Sequence, residues 1–305
     1  MDMRVSLVNG MLELKNPILS ASGTFGSGLE YQLYGDITQL GGIITNGITL
    51  YPRAGASMPR IVETAGGMLS AVGTQNDGAA HFIDAVLPSL PWQEVPVIPN
   101  LNASNIEEFS ELAAFFSGQE AIAAVEINLS CCNDHRGGQR FCQNPVTAAR
   151  AVNAVKRAFP AKPVIAKISP QVMDMVEISK AVEAAGADII SCMGTVQGMA
   201  VDAATRRPML GSVIGGLSGP AIKPLALRCV WEISRAVQIP VIGVGGIGSA
   251  LDVLEFILAG AHAVCIGTAN FSDPETIFRI VRELPELCKN FGIEDLESYR
   301  GSLLA

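Results

Sequence analysis

The sequence predicts an α/β chain folded as a (β/α)8 TIM barrel, and three observations predict it. Short runs rich in Ile and Val alternate with longer segments of helical period along the whole chain. The short runs are apolar at every position, the pattern of strands covered on both faces. Eight such runs are present, the last two each followed by a glycine-rich turn. Strands separated by helices pair in parallel, and eight of them close a barrel rather than an open doubly wound sheet.

Taken in order, strands are expected at 16–22 (NPILSAS), 41–46 (GGIITN), 95–102 (VPVIPNLN) and 124–130 (AVEINLS). Four more follow at 163–169 (PVIAKIS), 187–194 (ADIISCMG), 239–246 (IPVIGVGG) and 263–269 (AVCIGTA). Helices are expected at 106–117, 145–159, 173–185, 221–237, 251–259 and 274–290. In the third of these, Val176, Ile178, Val182 and Ala185 form one stripe that stops at Gly186. The last begins with Asp273 as a cap and Pro274 in the first turn. Long loops follow strands 2, 4 and 6; those at 47–78 and 195–220 have the length of lids or binding walls. With no linker, repeat or charge block, residues 1–305 read as a single domain.

Hydrophobic residues make up 49% of the 305 positions and charged residues 16%, enough to bury a large core. A net charge of −8 argues against nucleic acid and anionic membranes as partners. No apolar run is long enough to span a membrane, and the opening MDMRVSLVNGML lacks a signal-peptide pattern. The 7 cysteines have neither disulfide nor metal-ligand spacing, so a reducing cytoplasm is expected and no metal site.

Catalytic groups of such barrels sit where strands run into their following loops. Asn100 and Asn128 end strands there, and Lys167 interrupts an otherwise apolar strand. A buried lysine needs a charged or strongly polar partner, which favours a functional position over a snorkelling one. GVGGIGSALD after the seventh strand and CIGTANF at the eighth place Gly245, Gly246, Gly267 and Thr268 where backbone amides and a helix N-terminus converge on a phosphate. The spacing of GVGGIG is wrong for a dinucleotide fingerprint.

EINLSCCNDHRGG, residues 126–138, sets two adjacent cysteines in a glycine-rich loop. Neighbouring cysteines rarely bridge. Cys131 follows the strand directly and can face the barrel mouth as an acid–base thiol, with Cys132 pointing away. His135 reads as a solvated loop residue, and Cys142 is placed in the same loop. Cys192, Cys229, Cys265 and Cys288 read as small core residues.

Together NPILSASGTFG, PRIVETAGGMLSAVGTQN, EINLSC, AKISP, GGLSGPAIKPLALR, IPVIGVGGI and AVCIGTANF resemble the dihydroorotate dehydrogenase family over nearly the whole chain. The closest likeness is to its NAD-linked two-subunit branch. The resemblance implies an FMN cofactor with Ser22, Asn46, Asn100, Asn128, Lys167, Met193 and Gly219 around it, and its phosphate at Gly245, Gly246, Gly267 and Thr268. It implies Cys131 as the base that takes a proton beside the carbon losing hydride to flavin N5, with Ser130 relaying. Lys167 would stabilise reduced flavin. Substrate contacts are implied at Asn46, Ser70, Ala71, Val72, Gly73, Thr74, Asn128, Asn133, Gly194 and Thr195. A homodimer is implied, as is a partner subunit with FAD and an iron–sulfur cluster passing electrons to NAD; this chain lacks cluster spacing of its own.

Four positions depart from the family's pattern. Cys132 stands where proline is usual after the first cysteine. Asn46 replaces a lysine that contacts flavin and the orotate carboxylate. Ser70 and Gly194 replace asparagines that bind substrate. A second reading is therefore a related FMN oxidoreductase acting on a different cyclic amide, dihydropyrimidine or enoyl-type substrate. Two further readings are a Schiff-base barrel lyase using Lys167, and a flavin protein that has lost catalysis.

Overall fold

A computed structural model of the chain describes residues 2–8, 10–130, 141–172 and 174–304. Eight parallel strands form a closed barrel. They are β1 (Ile18–Ser20), β2 (Gly42–Ile48), β3 (Val97–Leu101), β4 (Val125–Asn128), β5 (Val164–Ile168), β6 (Ile189–Cys192), β7 (Val241–Val244) and β8 (Ala263–Ile266). Neighbours in sequence are neighbours in space, and β8 closes on β1 through Val264 beside Ile18. Outside lie α1 (Ile106–Ser117), α2 (Pro145–Ala158), α3 (Met175–Ala184), α4 (Lys223–Ser234), α5 (Ala250–Leu258) and α6 (Thr276–Asn290).

The helix ends follow short-range chemistry. Asn105, Asn144 and Asp174 cap α1, α2 and α3 by accepting backbone N–H bonds, and α3 stops before Gly186 at φ 100°. Its buried stripe is Met175, Ile178, Ser179 and Val182; Ile178 and Val182 are as expected, while Val176 and Ala185 are only half-buried. Helix α6 starts later than expected. Asp273 spends its carboxylate on the Glu275 amide and on Arg279, so Pro274 precedes the helix instead of opening it.

Period-two alternation splits each strand between two cores. Ile18, Ile43, Val97 and Val164 face outward, into the layer shared with the helices. Leu19, Ile44, Ile98, Ala124, Ile165, Ile189, Ile242 and Ala263 face inward. The N-terminal hairpin Val5–Leu7 with Leu12–Leu14 supplies Leu7, Leu12 and Leu14 to that interior core. Two residues further along β3, β4 and β5, the inward positions are Asn100, Glu126 and Lys167. The barrel thus carries a polar layer directly above its apolar one.

The two long loops are not loops alone. Ile61–Thr64 and Gly67–Ser70 from the first excursion join Gly215–Ser218 and Val196–Gly198 from the second in a four-stranded antiparallel sheet. Gly67 and Gly219 make the junction possible: a Cβ on Gly219 would lie 2.7 Å from the Gly67 Cα.

Candidate active site

A cavity of about 860 Å³ opens at the ends of the barrel strands, roofed by the excursion sheet. That volume suits a cofactor with a small substrate. Its floor is the polar layer. Lys167 is 6% exposed, and its Nζ donates to Ser22 Oγ at 2.7 Å across the barrel mouth. The same nitrogen lies 3.6 Å from Oε1 of the wholly buried Glu126. Asn100 Nδ2 donates to that carboxylate at 2.5 Å. Asn102 Nδ2 donates to Asn100 Oδ1 at 2.6 Å, and Asn128 Nδ2 sits 3.4 Å from the same oxygen. Asn128 Oδ1 accepts from the Ser130 hydroxyl at 2.8 Å and from its amide at 3.1 Å.

Asn46 reaches the cavity through an irregularity of β2. The register with β3 shifts between Ile44 and Gly47, leaving one extra residue on β2. Such a bulge re-aims side chains. Asn46 is exposed on the cavity wall, its amide donating to Gly26 O at 2.8 Å. Gly194 is packed against Ser130: a Cβ there would fall 2.5 Å from the hydroxyl oxygen.

One wall is built of glycine turns. Gly245 and Gly246 take φ 130° and 74°, and a Cβ on Gly246 would lie 2.7 Å from the Lys223 Cβ. Gly267 and Thr268 line the same wall. The start of α5 is differently engaged than expected. The Gly248 and Ser249 amides donate to Asp252, in a capping box completed by Ser249 Oγ, and Asp252 is paired with Lys223. An anion on this wall therefore relies on the turn amides more than on the helix end.

Ser22, Asn46, Asn100, Asn128, Ser130, Lys167, Met193, Gly194, Thr195, Gly219, Gly245, Gly246, Gly267 and Thr268 all line this one cavity, with Ser70, Val72, Gly73 and Thr74 from the first excursion. Ala71 does not. It is buried against Leu69 and Leu210, because alternation along the strand turns it from the cavity. Cys131, Cys132, Asn133 and His135 lie outside the described residues. Cys142 is not a loop thiol: it is buried in a short turn, accepts the Ser169 amide at 3.2 Å, and burial raises its pKa to about 11. Cys192, Cys229, Cys265 and Cys288 are buried core thiols, as expected. Sequence reading missed Glu126 and Asn102. Both carried a signal, since each stands two residues from a recognised asparagine on the same inward face.

The family model described as Dihydroorotate dehydrogenase matches residues 5–288. The chain belongs to the dihydroorotate dehydrogenase family. It is 55% identical over 292 residues to the dihydroorotate dehydrogenase B (NAD(+)) catalytic subunit of Solidesulfovibrio magneticus, covering 96% of this chain and 95% of that one. The protein of the same name from Maridesulfovibrio salexigens is 52% identical over 301 residues, covering 99% of each. Among solved structures, the DHODH of Eimeria tenella in complex with ferulenol superposes with a TM-score of 0.81 at 21% identity. That pair covers 99% of this chain and 88% of the other, and shows a shared fold. Membership leaves no place for the Schiff-base lyase reading, and Lys167 is already committed to Ser22 and Glu126.

Proposed function

We infer that this chain is an FMN-dependent oxidoreductase that oxidises dihydroorotate to orotate at a CH–CH bond, as the catalytic subunit of an NAD-linked enzyme. The observation that carries it is the buried Lys167, held at the cavity floor beneath glycine turns in a chain whose relatives bear that name. Those relatives favour dihydroorotate over the alternative of another cyclic amide, dihydropyrimidine or enoyl-type substrate.

The residues present fit FMN. The Gly245–Gly246 turn has no room for side chains and faces the cavity, suiting it to a phosphate, and the floor offers a desolvated cation. When bound, FMN supplies the hydride acceptor. Lys167 holds positive charge where a reduced cofactor gains electron density. Asn100, Asn128 and Ser22 line the same space, and Met193 and Gly219 border it. We assign Cys131 as the base taking the substrate proton. Its neighbour Ser130 lines the cavity with its hydroxyl bonded to Asn128, which supports the assignment of that hydroxyl as the proton relay. Asn46, Ser70, Val72, Gly73, Thr74, Asn133, Gly194 and Thr195 are assigned to the substrate side.

The relatives are by name catalytic subunits, which implies a further subunit. We propose that here it carries FAD and an iron–sulfur cluster, and that the catalytic chain pairs with a second copy. The buried free thiols support a reducing, cytoplasmic setting. Among the described residues, no helix is long and apolar enough to cross a membrane.

Anaerobic addition of dihydroorotate to FMN-loaded protein should bleach the flavin absorbance, and Cys131→Ser should slow that bleaching by about two orders of magnitude. A flavin that dithionite reduces and dihydroorotate leaves untouched would refute the assignment.

A further inference from the structure

The roles assigned above leave Glu126 without one. It is an acid on the inward face of β4, wholly buried. An ionised carboxylate in such a place is costly unless paired and hydrogen-bonded. Ion pairing with Lys167 is only part of its setting. The Lys167 ammonium gives its short bond to Ser22 at 2.7 Å and stands 3.6 Å from the carboxylate. The shortest bond Glu126 receives comes from an amide, Asn100 Nδ2 at 2.5 Å. Its Oε2 is buried with no hydrogen-bond partner among the described residues.

That amide bond has consequences at a distance. An ionised carboxylate can only accept, so Asn100 must present its NH2 to Glu126 and its oxygen to the other side. There the oxygen accepts from Asn102 Nδ2 at 2.6 Å and faces Asn128 Nδ2 at 3.4 Å. With its nitrogen on that side, Asn128 turns its oxygen to Ser130 and accepts both the amide and the hydroxyl proton. Each link fixes the next. One acceptor-only group at the base settles the direction of three carboxamides and one hydroxyl, and Asn102, Asn128 and Ser130 all line the cavity. The bonds from Asn128 Nδ2 are long, 3.4 Å to both Asn100 and Asn102. Its hydrogens are therefore available to a better acceptor. Ser130, its O–H donated in a hydrogen bond to Asn128, meets a ligand with lone pairs.

We propose that Glu126 is a positioning residue that polarises the Asn100–Asn102–Asn128–Ser130 chain, so that the pocket presents amide donors and a hydroxyl acceptor to a ring bearing carbonyl and N–H groups. It also sets how much of the Lys167 charge reaches the cofactor. The assignment rests on the FMN and dihydroorotate reading given above.

Glu126→Gln tests it in the full chain. The replacement keeps the volume, deletes the charge and can donate as well as accept, so Asn100 is free to turn over. With FMN bound, orotate titrated by its perturbation of the flavin spectrum should bind about tenfold more weakly, as the loss of a charge-assisted bond network implies. The flavin midpoint potential should move to more positive values, because Lys167 is less neutralised. The decisive variant is the double exchange Glu126→Gln with Asn100→Asp. The new amide at 126 donates to the new carboxylate at 100, which still accepts from Asn102 and Asn128, and one negative charge is restored to the polar floor that holds Lys167. Recovery of most of the orotate affinity and a return of the potential would support the proposal. Wild-type affinity and potential in Glu126→Gln, or a double variant no better than the single, would overturn it. If the single variant retains no FMN, uptake by the double variant decides in the same way. A wild-type chain that binds no FMN, or is not bleached by dihydroorotate, would instead sink the underlying assignment.

Discussion

Lys167→Met keeps the length and apolar stem of the side chain and deletes its charge, leaving Glu126 ionised in the barrel with its attractive partner gone. The separation of 3.6 Å corresponds to roughly 5 kcal/mol of attraction at an effective dielectric near 20. Solvent screens little of this, since the two side chains are 8% and 0% exposed. Desolvation of the lysine offsets part of the gain in the native protein, so the net loss is the cost of stranding one buried charge, about 3–5 kcal/mol. The Ser22 bond adds about 1 kcal/mol. Urea unfolding of the flavin-free protein, followed by circular dichroism, separates this effect from cofactor binding. The single variant should unfold at much lower urea, and adding Glu126→Gln should restore more than half of the difference, because no stranded charge remains. A single variant within about 1 kcal/mol of wild type, or a double variant as weak as the single, would refute the reasoning.

Other perturbations address the rim, the phosphate wall and pH. Gly194→Ala places a methyl 2.5 Å from the Ser130 oxygen and must dislodge it from Asn128; stopped-flow bleaching by dihydroorotate should slow about ten- to a hundredfold with FMN content unchanged. Gly246→Ala combines φ 74° with a contact of 2.7 Å to Lys223; FMN affinity, read by quenching of flavin fluorescence, should fall at least about tenfold. Asn46→Lys sits on an exposed bulge; orotate should bind about tenfold tighter, most visibly at low salt, with the unfolding midpoint unmoved. His262 accepts the Val241 amide through Nδ1, and burial holds its pKa near 4 against an ordinary 6.5. The unfolded chain then binds more protons between those values, so stability is complete above pH 6.5 and falls by about 2–3 kcal/mol towards pH 4. His262→Gln should flatten that slope in pH-dependent urea titrations.

Whatever depends on neighbours in sequence was legible beforehand. The eight strands are set by apolar runs that no other environment tolerates, and alternation by two within β3, β4 and β5 put Asn100, Asn128 and Lys167 on the inward face. Glu126 obeys the same alternation, yet an acid among Val, Ile and Asn names no partner until the barrel closes and brings Lys167 beside it from another strand. The excursion sheet was hidden for a related reason. Its strands are short and glycine-rich, and Gly216 of the second excursion meets Ser70 of the first across four intervening barrel strands. Pairings of that range leave no periodicity to read. Cys142 looked like a loop thiol because the core that buries it, and the Ser169 amide that it accepts, come from other segments.

Of the four departures that the resemblance implies, Asn46, Ser70 and Gly194 are described and line the cavity, while Cys132 lies outside the described residues. Asn46 sits exposed on a bulge and Ser70 half-buried on an excursion strand, while Gly194, just beyond β6, is buried against Ser130. Asn100, Glu126 and Lys167 lie one level deeper, within the barrel, where each is bonded to another. The exposed Asn46 and half-buried Ser70 can change without stranding a charge or opening a cavity, because solvent takes up the difference; Gly194 cannot gain a side chain without moving Ser130. A change in the deeper layer leaves a buried partner unsatisfied at a cost of several kcal/mol. On the proposed assignment, the residues given to cofactor and to substrate would thus lie under different energetic constraint. Exposed positions such as Asn46 are free to change, whereas the bonded floor of Asn100, Glu126 and Lys167 is not.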